Sequence, residues 1–487
     1  MPKLAELVKA VPQSRLLGDE KTMSLEFTSV STDSRSLTPG ALFFALSGPH
    51  FDGEEFIEAA QRRGAIAAVV TAKRLDELQM KALRQESRLP QIEVPDPLLA
   101  LQQWAHYWRQ NWLGQVIAVT GSNGKTTVKQ MLAAIGGQAL RGASVWATPG
   151  NLNNHIGLPL SVLGLQPQHR LAIFELGMNH PGEINILAAI ACAQIALVNN
   201  AQREHQEFMK SIAAVALENG RVFESLPHDG IAIFPRDLQH EMIWRQQAGA
   251  RQLLRFGFAD QAGDSDHPGG DVVGQWQGVA GEQMGHFTIE FPNQHSIEIH
   301  SRGVGHHFAM NCLAAAACAY AAGIGTDDIA AALNHFEAVS GRGQRFTIAG
   351  GGTLVDDSYN ANPDSVRAAI DALQILPKPQ ALVLGDMGEV GDRGAEFHEE
   401  VLRYADSKNI ASLWLHGEAM ARAAHSTGIG DHFSELEPLI RDLSDWLRQQ
   451  QAKAHRPSIW IKGSRFMKME RVVRALQIHG VSGVACC

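Results

Sequence analysis

Residues 116–132, VIAVTGSNGKTTVKQML, constrain this chain more than any other stretch. Val116, Ile117, Ala118, Val119 and Thr120 form an apolar and β-branched run that predicts a short buried strand. Gly121-Ser122-Asn123-Gly124 then make a turn. Lys125-Thr126-Thr127 open a segment in which Val128, Met131, Leu132 and Ile135 recur at helical spacing. A strand, a glycine-rich loop and a helix start together build an anion cradle, because the first turn of a helix has unpaired N–H groups and a favourable dipole. The glycines Gly121 and Gly124 let backbone approach a phosphate, with Asn123 between them. Lys125 can reach terminal phosphates, and the hydroxyls of Thr126 and Thr127 can serve a phosphate or Mg2+. A full Walker pattern needs a glycine five residues before Gly124, where Val119 stands. The expectation is a nucleoside triphosphate site of a shorter-loop branch.

A chain of 487 residues exceeds a single core, so two to four domains are expected. The net charge of −9 argues against nucleic acid as the main partner, since phosphate backbones select net basic surfaces. The five cysteines are odd in number and lack metal-ligand spacing. Cys192, Cys312 and Cys318 lie in alanine-rich apolar runs and suit a reducing compartment, whereas Cys486 and Cys487 suggest a solvated tail. Residues 1–10 carry Lys3, Glu6 and Lys9 rather than a secretory apolar core, and no apolar run reaches the roughly 20 residues of a membrane span. A cytoplasmic protein is expected.

Short strands (41–46, 65–71) mixed with helices occupy the first block, up to about Val94. Pro95-Asp96-Pro97 predicts a stiff, non-helical connector. Strand and helix alternate beyond the phosphate loop (171–176, 183–190, 195–199), which argues for a mostly parallel sheet covered on both faces. Between 257 and 303 the alternation of 286–291 and 296–300 predicts antiparallel hairpins. Helices are expected over 312–322 and 327–336, and a third block alternates again from strand 353–356 to strand 458–462 and a final helix at 468–477.

Polar groups cluster at the carboxyl ends of these strands, where open α/β sheets bind ligands. Glu175 follows a buried strand; alone it is either an exposed strand end or, with the Thr126 hydroxyl, an oxygen ligand for Mg2+. His205 follows strand 195–199, and one histidine among 21 is more often structural. Asn151, Asn153 and Asn154 suit a turn or a polar substrate. In DDSYNANPDS (356–365), Asn362 with Pro363 predicts a capped helix start. Capping does not account for Asp357, Tyr359 and Asn360. Lys462-Gly463-Ser464-Arg465 sets two cations around a small turn, a receptor suited to an anion or carboxylate.

Together these segments resemble the Mur ligase family of bacterial cell-wall synthesis. The resemblance spans nearly the whole chain: Ser31-Thr32-Asp33-Ser34-Arg35 with PGALFFAL (39–46), TGSNGKTT, PGNLNN (149–154), ELGMNHPGEI (175–184), DDSYNANPDS, LGDMGEVG (384–391) and KGSR. It implies an α/β chain of three domains: a small UDP-binding domain (1–95), a central ATP-binding domain with a mostly parallel sheet (96–338) and a C-terminal Rossmann-like domain (339–487). The implied reaction is ATP-dependent. ATP phosphorylates the terminal carboxylate of UDP-MurNAc-tripeptide, and the amine of D-Ala-D-Ala attacks the acyl phosphate. A ligase that adds a single amino acid, or a folylpolyglutamate-type ligase, is the alternative. The cofactors implied are ATP and Mg2+, and the chain is expected to be a monomer.

Carried over by position, the resemblance assigns Lys125 to the ATP phosphates and Thr126, Glu175 and His205 to Mg2+, with Lys125, Glu175 and His205 catalytic. Gly121, Asn123, Gly124, Thr127, Asn311, Arg342, Asp357 and Asn360 hold the nucleotide. Ser31, Asp33, Ser34, Arg35, Asn153, Asn154, Lys462, Ser464 and Arg465 are implied for substrate. Relatives carry a carbamate-modified lysine where this chain has Asn219. Asn cannot be carbamoylated, so either one metal dominates or Glu204, Glu207 or Glu218 substitutes. His155 replaces a common Glu, and His306 and Phe308 interrupt a pattern expected near the adenine.

Overall fold

The computed structural model describes residues 1–17, 20–72, 89–141, 144–236, 239–259, 271–278, 285–348, 351–410 and 412–480. Cys486 and Cys487 lie outside the described residues. Two compact units emerge: Met1–Ala118 with Ala143–Gly177 and Glu183–Ala193, and Val119–Gly142 with Met178–Gly182 and Gln194–Cys487.

The first unit contains a five-stranded sheet in the order Arg15–Leu17, Gln91–Val94, Ala67–Thr71, Ala41–Phe44, Ser29–Ser31. Only the Arg15–Leu17 edge is antiparallel. Strand periodicity divides its core. Leu42, Phe44, Val69 and Ile92 pack with Leu4, Leu7 and Trp104 on one face, while Ala41, Phe43, Ala68 and Val70 cluster with Leu37 on the other.

The Pro95-Asp96-Pro97 segment departs from expectation: it starts a helix, Pro97–Gln110. Asp96 Oδ1 accepts the N–H groups of Leu98 (2.8 Å) and Leu99 (3.2 Å). Pro97 occupies the first turn, where its missing N–H would have no partner anyway. Leu101, Trp104 and Ala105 then bury one face of this helix. The parallel pair Val145–Ala147 and Leu171–Glu175, with helices Gly157–Leu163 and Glu183–Ala191, completes the unit.

In the second unit, strands Ile195–Val198, Ile231–Pro235, Gln252–Phe258 and Asp271–Gly278 pair in parallel in that order. An antiparallel meander through Gly285–Glu290 and Ser296–Ser301 follows, as the alternating sequence predicts. Helices Lys125–Leu140, His306–Ala321 and Thr326–His335 pack together over it. The alanine-rich helix begins at His306 rather than Cys312, with Phe308 and Ala309 already buried. Beyond it lies a six-stranded sheet in the order Gln344–Ile348, Gly352–Asp357, Ser458–Lys462, Gln380–Gly385, Ser412–His416, Asp431–Phe433. All its pairings are parallel except the first. Leu382 and Leu384 face helices Pro363–Ile375, Gly394–Ser407 and Glu418–Thr427; Ala381 and Val383 face Leu436–Ala452 and Glu470–Gly480. A doubly covered parallel sheet is what strands buried on both faces require.

Candidate active site

The loop after strand Gln115–Thr120 depends on its glycines. Gly121 has φ +123° and Gly124 φ +82°. A Cβ on Gly121 would lie 2.9 Å from the amide nitrogens of Asn199 and Asn200; one on Gly124 would lie 2.3 Å from Asn311 Oδ1. Both contacts are closer than atoms can approach, and φ in this range favours glycine. Asn199 and Asn200 brace the loop. Asn200 Oδ1 accepts the Asn123 N–H (2.8 Å), and both side-chain amides donate to the Asn123 carbonyl. Asn199 also donates to Asn311 Oδ1 at 2.9 Å. Helix Lys125–Leu140 opens at the loop with Thr126 and Thr127 buried in its first turn.

Lys125 Nζ folds back on the loop, donating to the carbonyls of Gly121 and of Ser122 (3.0 Å) and lying 3.4 Å from Glu204 Oε2. Glu204 is 7% exposed, and its Oε1 makes no hydrogen bond among the described residues. A buried carboxylate oxygen without a donor is costly, and a cation satisfies it. His205 Nδ1 stands 2.7 Å from Glu389 Oε2. His205 (φ +48°) and Glu389 (φ +57°) both adopt left-handed backbone, a strain that concentrates at functional sites. The Glu389 carboxyl is held below the ordinary carboxylate range by its contact with His205, against a desolvation that pushes the other way.

Asn219 is 1% exposed and sits under the loop. Its Oδ1 accepts from the Thr120 hydroxyl and from Gly121 N (2.9 Å), and its Nδ2 donates to Val215 O. Of the three carboxylates that could replace a carbamate, Glu218 accepts from Gly182 N and pairs with Arg221 at 3.0 Å, and Glu207 is exposed. Glu204 alone borders Lys125 and His205. Oxygen donors of this kind, with the Thr126 hydroxyl, fit a hard cation such as Mg2+.

The six-stranded sheet reaches the same loop. Asn362 caps helix Pro363–Ile375 through Ser365 N (2.8 Å) and donates its Nδ2 to Asn123 Oδ1 at 3.0 Å. Arg203 clasps two helices: Nη2 lies 2.6 Å from Asp364 Oδ1, and Nη1 lies 2.7 Å from Glu400 Oε2. Its guanidinium also covers the Phe397 ring. Lys462, 4% exposed, donates to Asp357 Oδ2 (2.7 Å) and to the Asn360 carbonyl (2.9 Å). Breaking such a pair would strand a buried charge at a cost of about 3–5 kcal/mol, so Lys462 positions Asp357. Ser464 Oγ accepts from Gly388 N and donates to Ala361 O. Arg342 stacks on Tyr359 at 4.0 Å, with Arg465 at 5.8 Å from the same ring.

In the first unit, Arg35 grips Asp33 through Nε–Oδ1 (2.9 Å) and Nη2–Oδ2 (2.8 Å), and Ser31 Oγ accepts from Asp33 N. The guanidinium lowers the Asp33 carboxyl to about 2. Ser34 beside them is buried. Asn153 Nδ2 donates to Glu175 Oε1 at 2.8 Å, and Thr148 Oγ1 accepts from Glu175 N. Asn154 Oδ1 accepts from Ile156 N and Gly157 N, a helix-opening role.

Sequence reasoning did not single out Asn199, Asn200, Arg203 or Glu389. Glu389 stands inside the quoted LGDMGEVG run, and Arg203-Glu204 directly precede His205. Those adjacencies were the available signals.

Comparison with known proteins gives three family matches: "Mur ligase family, catalytic domain" over residues 26–109, "Mur ligase middle domain" over 119–319, and "Mur ligase, glutamate ligase domain" over 341–465. The chain is 37% identical to the UDP-N-acetylmuramoyl-tripeptide–D-alanyl-D-alanine ligase of Escherichia coli K12, covering 96% of this chain and 97% of that protein. A crystal structure of MurF from Acinetobacter baumannii superposes with a TM-score of 0.85 at 29% identity, covering 98% of both chains. The fold of a MurF ligase from Thermotoga maritima in complex with ADP matches with a TM-score of 0.78 at 24% identity, over 92% of this chain and 97% of that one.

Proposed function

The chain belongs to the Mur ligase family, and from that premise we propose how its residues perform the family's chemistry. It is an ATP-dependent ligase that joins D-Ala-D-Ala to UDP-MurNAc-tripeptide, giving UDP-MurNAc-pentapeptide for peptidoglycan precursor synthesis. A carboxylate has no leaving group until it is phosphorylated. Its oxygen therefore attacks the γ-phosphorus, the bond to the bridging β–γ oxygen breaks, and ADP leaves. The dipeptide amine then attacks the acyl carbon; inorganic phosphate departs and an amide remains.

Two anions meet in the first step, so positive charge and aligned donors are the main need. Lys125, with the loop N–H groups and the first turn of helix Lys125–Leu140, meets the triphosphate. Entry of the phosphates replaces the lysine's contacts with the Gly121 and Ser122 carbonyls. Thr126 and His205, joined by Glu204, would hold Mg2+, which would supply charge neutralisation at the phosphate oxygens; Glu175 carries the metal role that the family resemblance assigns to it. Glu389 orients the His205 ring. Asn311, Arg342, Asp357 and Asn360 serve the nucleotide, with Lys462 keeping Asp357 in place. Ser31, Asp33, Ser34 and Arg35 serve the uridine diphosphate; Asn153 and Asn154 in the first unit, and separately Ser464 and Arg465 in the second, carry the substrate roles that the family resemblance assigns. We assign residues 1–95 to the uridine diphosphate, whereas the groups proposed for nucleotide and peptide are drawn from both 96–338 and 339–487. A single chain supplies every group named, which supports a monomer. The precursors are nucleotides that meet ATP in the cytoplasm, which supports that location. Among the described residues no helix is long and apolar enough to cross a membrane.

One observation carries the site assignment: Lys125, Glu204, His205 and Glu389 gather at a loop whose Asn123 is bonded to Asn362 of the six-stranded sheet's first capped helix. The test is phosphate release from ATP with UDP-MurNAc-tripeptide and D-Ala-D-Ala, run beside Lys125→Ala. Turnover should require the dipeptide and fall by about 10²–10³-fold in the variant. Equal turnover by the variant removes the role of Lys125; equal release with single D-Ala assigns a single-amino-acid ligase instead.

A further inference from the structure

Far along the sheet order from the phosphate loop, the outer meander of the second unit gathers ligating side chains on one face. Strands Gly285–Glu290 and Ser296–Ser301 pair antiparallel with His286 directly opposite His300. Glu298 lies two residues from His300, so strand periodicity puts it on the same face. His286 Nε2 is 2.5 Å from Glu298 Oε1, and His300 Nε2 is 3.8 Å from that same oxygen. The imidazoles stack at 4.6 Å with their planes 13° apart. One ligand atom from each residue lies within 4.8 Å of the other two.

A second observation concerns the backbone beneath. Asn334, on helix Thr326–His335, accepts from His300 N at 2.6 Å and donates to Glu298 O at 3.1 Å. One side chain thus pins both ligand-bearing residues of the outer strand. That is preorganisation: the strand's position is held while its side chains stay partly open, Glu298 at 58% exposure.

We propose that His286, Glu298 and His300 form a binding site for a borderline divalent transition metal of the Zn2+ class, separate from the ligase site. Two imidazoles and a carboxylate match the preference of Zn2+, whereas Mg2+ favours a ligand set made mainly of oxygens. With metal–ligand bonds of about 2.0–2.2 Å, tetrahedral ligand atoms stand about 3.4 Å apart. The separations of 2.5 and 3.8 Å to the Glu298 oxygen bracket that value, and the two histidine nitrogens lie within 4.8 Å of each other, so seating the ion asks for ångström-scale side-chain adjustment. Solvent completes the fourth position, and the ion ties the two outer strands together.

The experiment is calorimetric titration of the full chain with Zn2+ in Mg2+-containing buffer, without nucleotide. One saturable, micromolar site per chain is expected. His286→Ala and His300→Ala should each weaken it by about 10- to 100-fold with far-UV circular dichroism unchanged, while His205→Ala leaves it intact. Absence of saturable binding, binding indifferent to both outer substitutions, or loss in the His205 variant would each overturn the proposal. None of these readouts depends on ligase turnover, so the two functional readings fail separately.

Discussion

Asn219 uses its side chain entirely within the protein. Oδ1 takes donors from Thr120 and Gly121, and Nδ2 returns to Val215 one helical turn back. The resemblance puts a metal-bridging lysine at this position; here a short amide braces the base of the phosphate loop. Lengthening the side chain would displace buried groups, and removing it would orphan the Gly121 N–H where water has little access. A buried donor left unpaired costs about 1–3 kcal/mol, so Asn219→Ala should lose roughly that much stability in urea unfolding and weaken ATP binding. A change below about 0.5 kcal/mol, typical of a surface substitution, would contradict the bracing role. Glu204 is then the proposed metal-side carboxylate: its Oε1, unpartnered among the described residues, distinguishes it from the engaged Glu218 and the exposed Glu207.

Elements, rather than single residues, hold the six-stranded sheet to the loop. The N-terminus of helix Pro363–Ile375 presents Asn362 and Asp364, helix Gly394–Ser407 presents Glu400, and Arg203 donates to both carboxylates. Arg203 has 17% side-chain exposure, so its charge pairs are poorly screened and weigh more than an open surface bridge. With Arg203→Ala, Asp364 and Glu400 lose their common partner while the helix cap at Asn362 survives. Hydrogen exchange should accelerate in the first turns of both helices, and the KM for ATP should rise. Unchanged exchange there would show that Asn123 and Asn362 suffice. The capped start of Pro363–Ile375 was legible because Asn-Pro-Asp-Ser is a local instruction. Pro95-Asp96-Pro97 contains the same cap-then-proline logic, and its two prolines masked a helix start of that kind.

At the scale of the molecule, nucleotide binding and stability are linked. Any ligand that binds only the folded state adds RT ln(1 + [L]/Kd), about 2.7 kcal/mol at roughly a hundredfold excess over Kd. The thermal midpoint should therefore rise with MgATP, and the rise should shrink in Lys125→Ala and when Mg2+ is chelated. An undiminished shift in that variant would mean that the lysine does not touch the phosphates. What the sequence alone determined was local: the loop and its glycines, the alternation that splits each sheet's core, the helix starts, and the residue types able to hold phosphate and metal. These follow from sterics and hydrogen bonding over a few residues. Tertiary structure alone decided the pairings: Glu389 with His205, Arg203 with Asp364 across 161 residues, Lys462 spent on Asp357, Asn219 beneath the loop. No periodicity encodes such partners, because each depends on which buried charge or amide the packed sheets leave unsatisfied within reach.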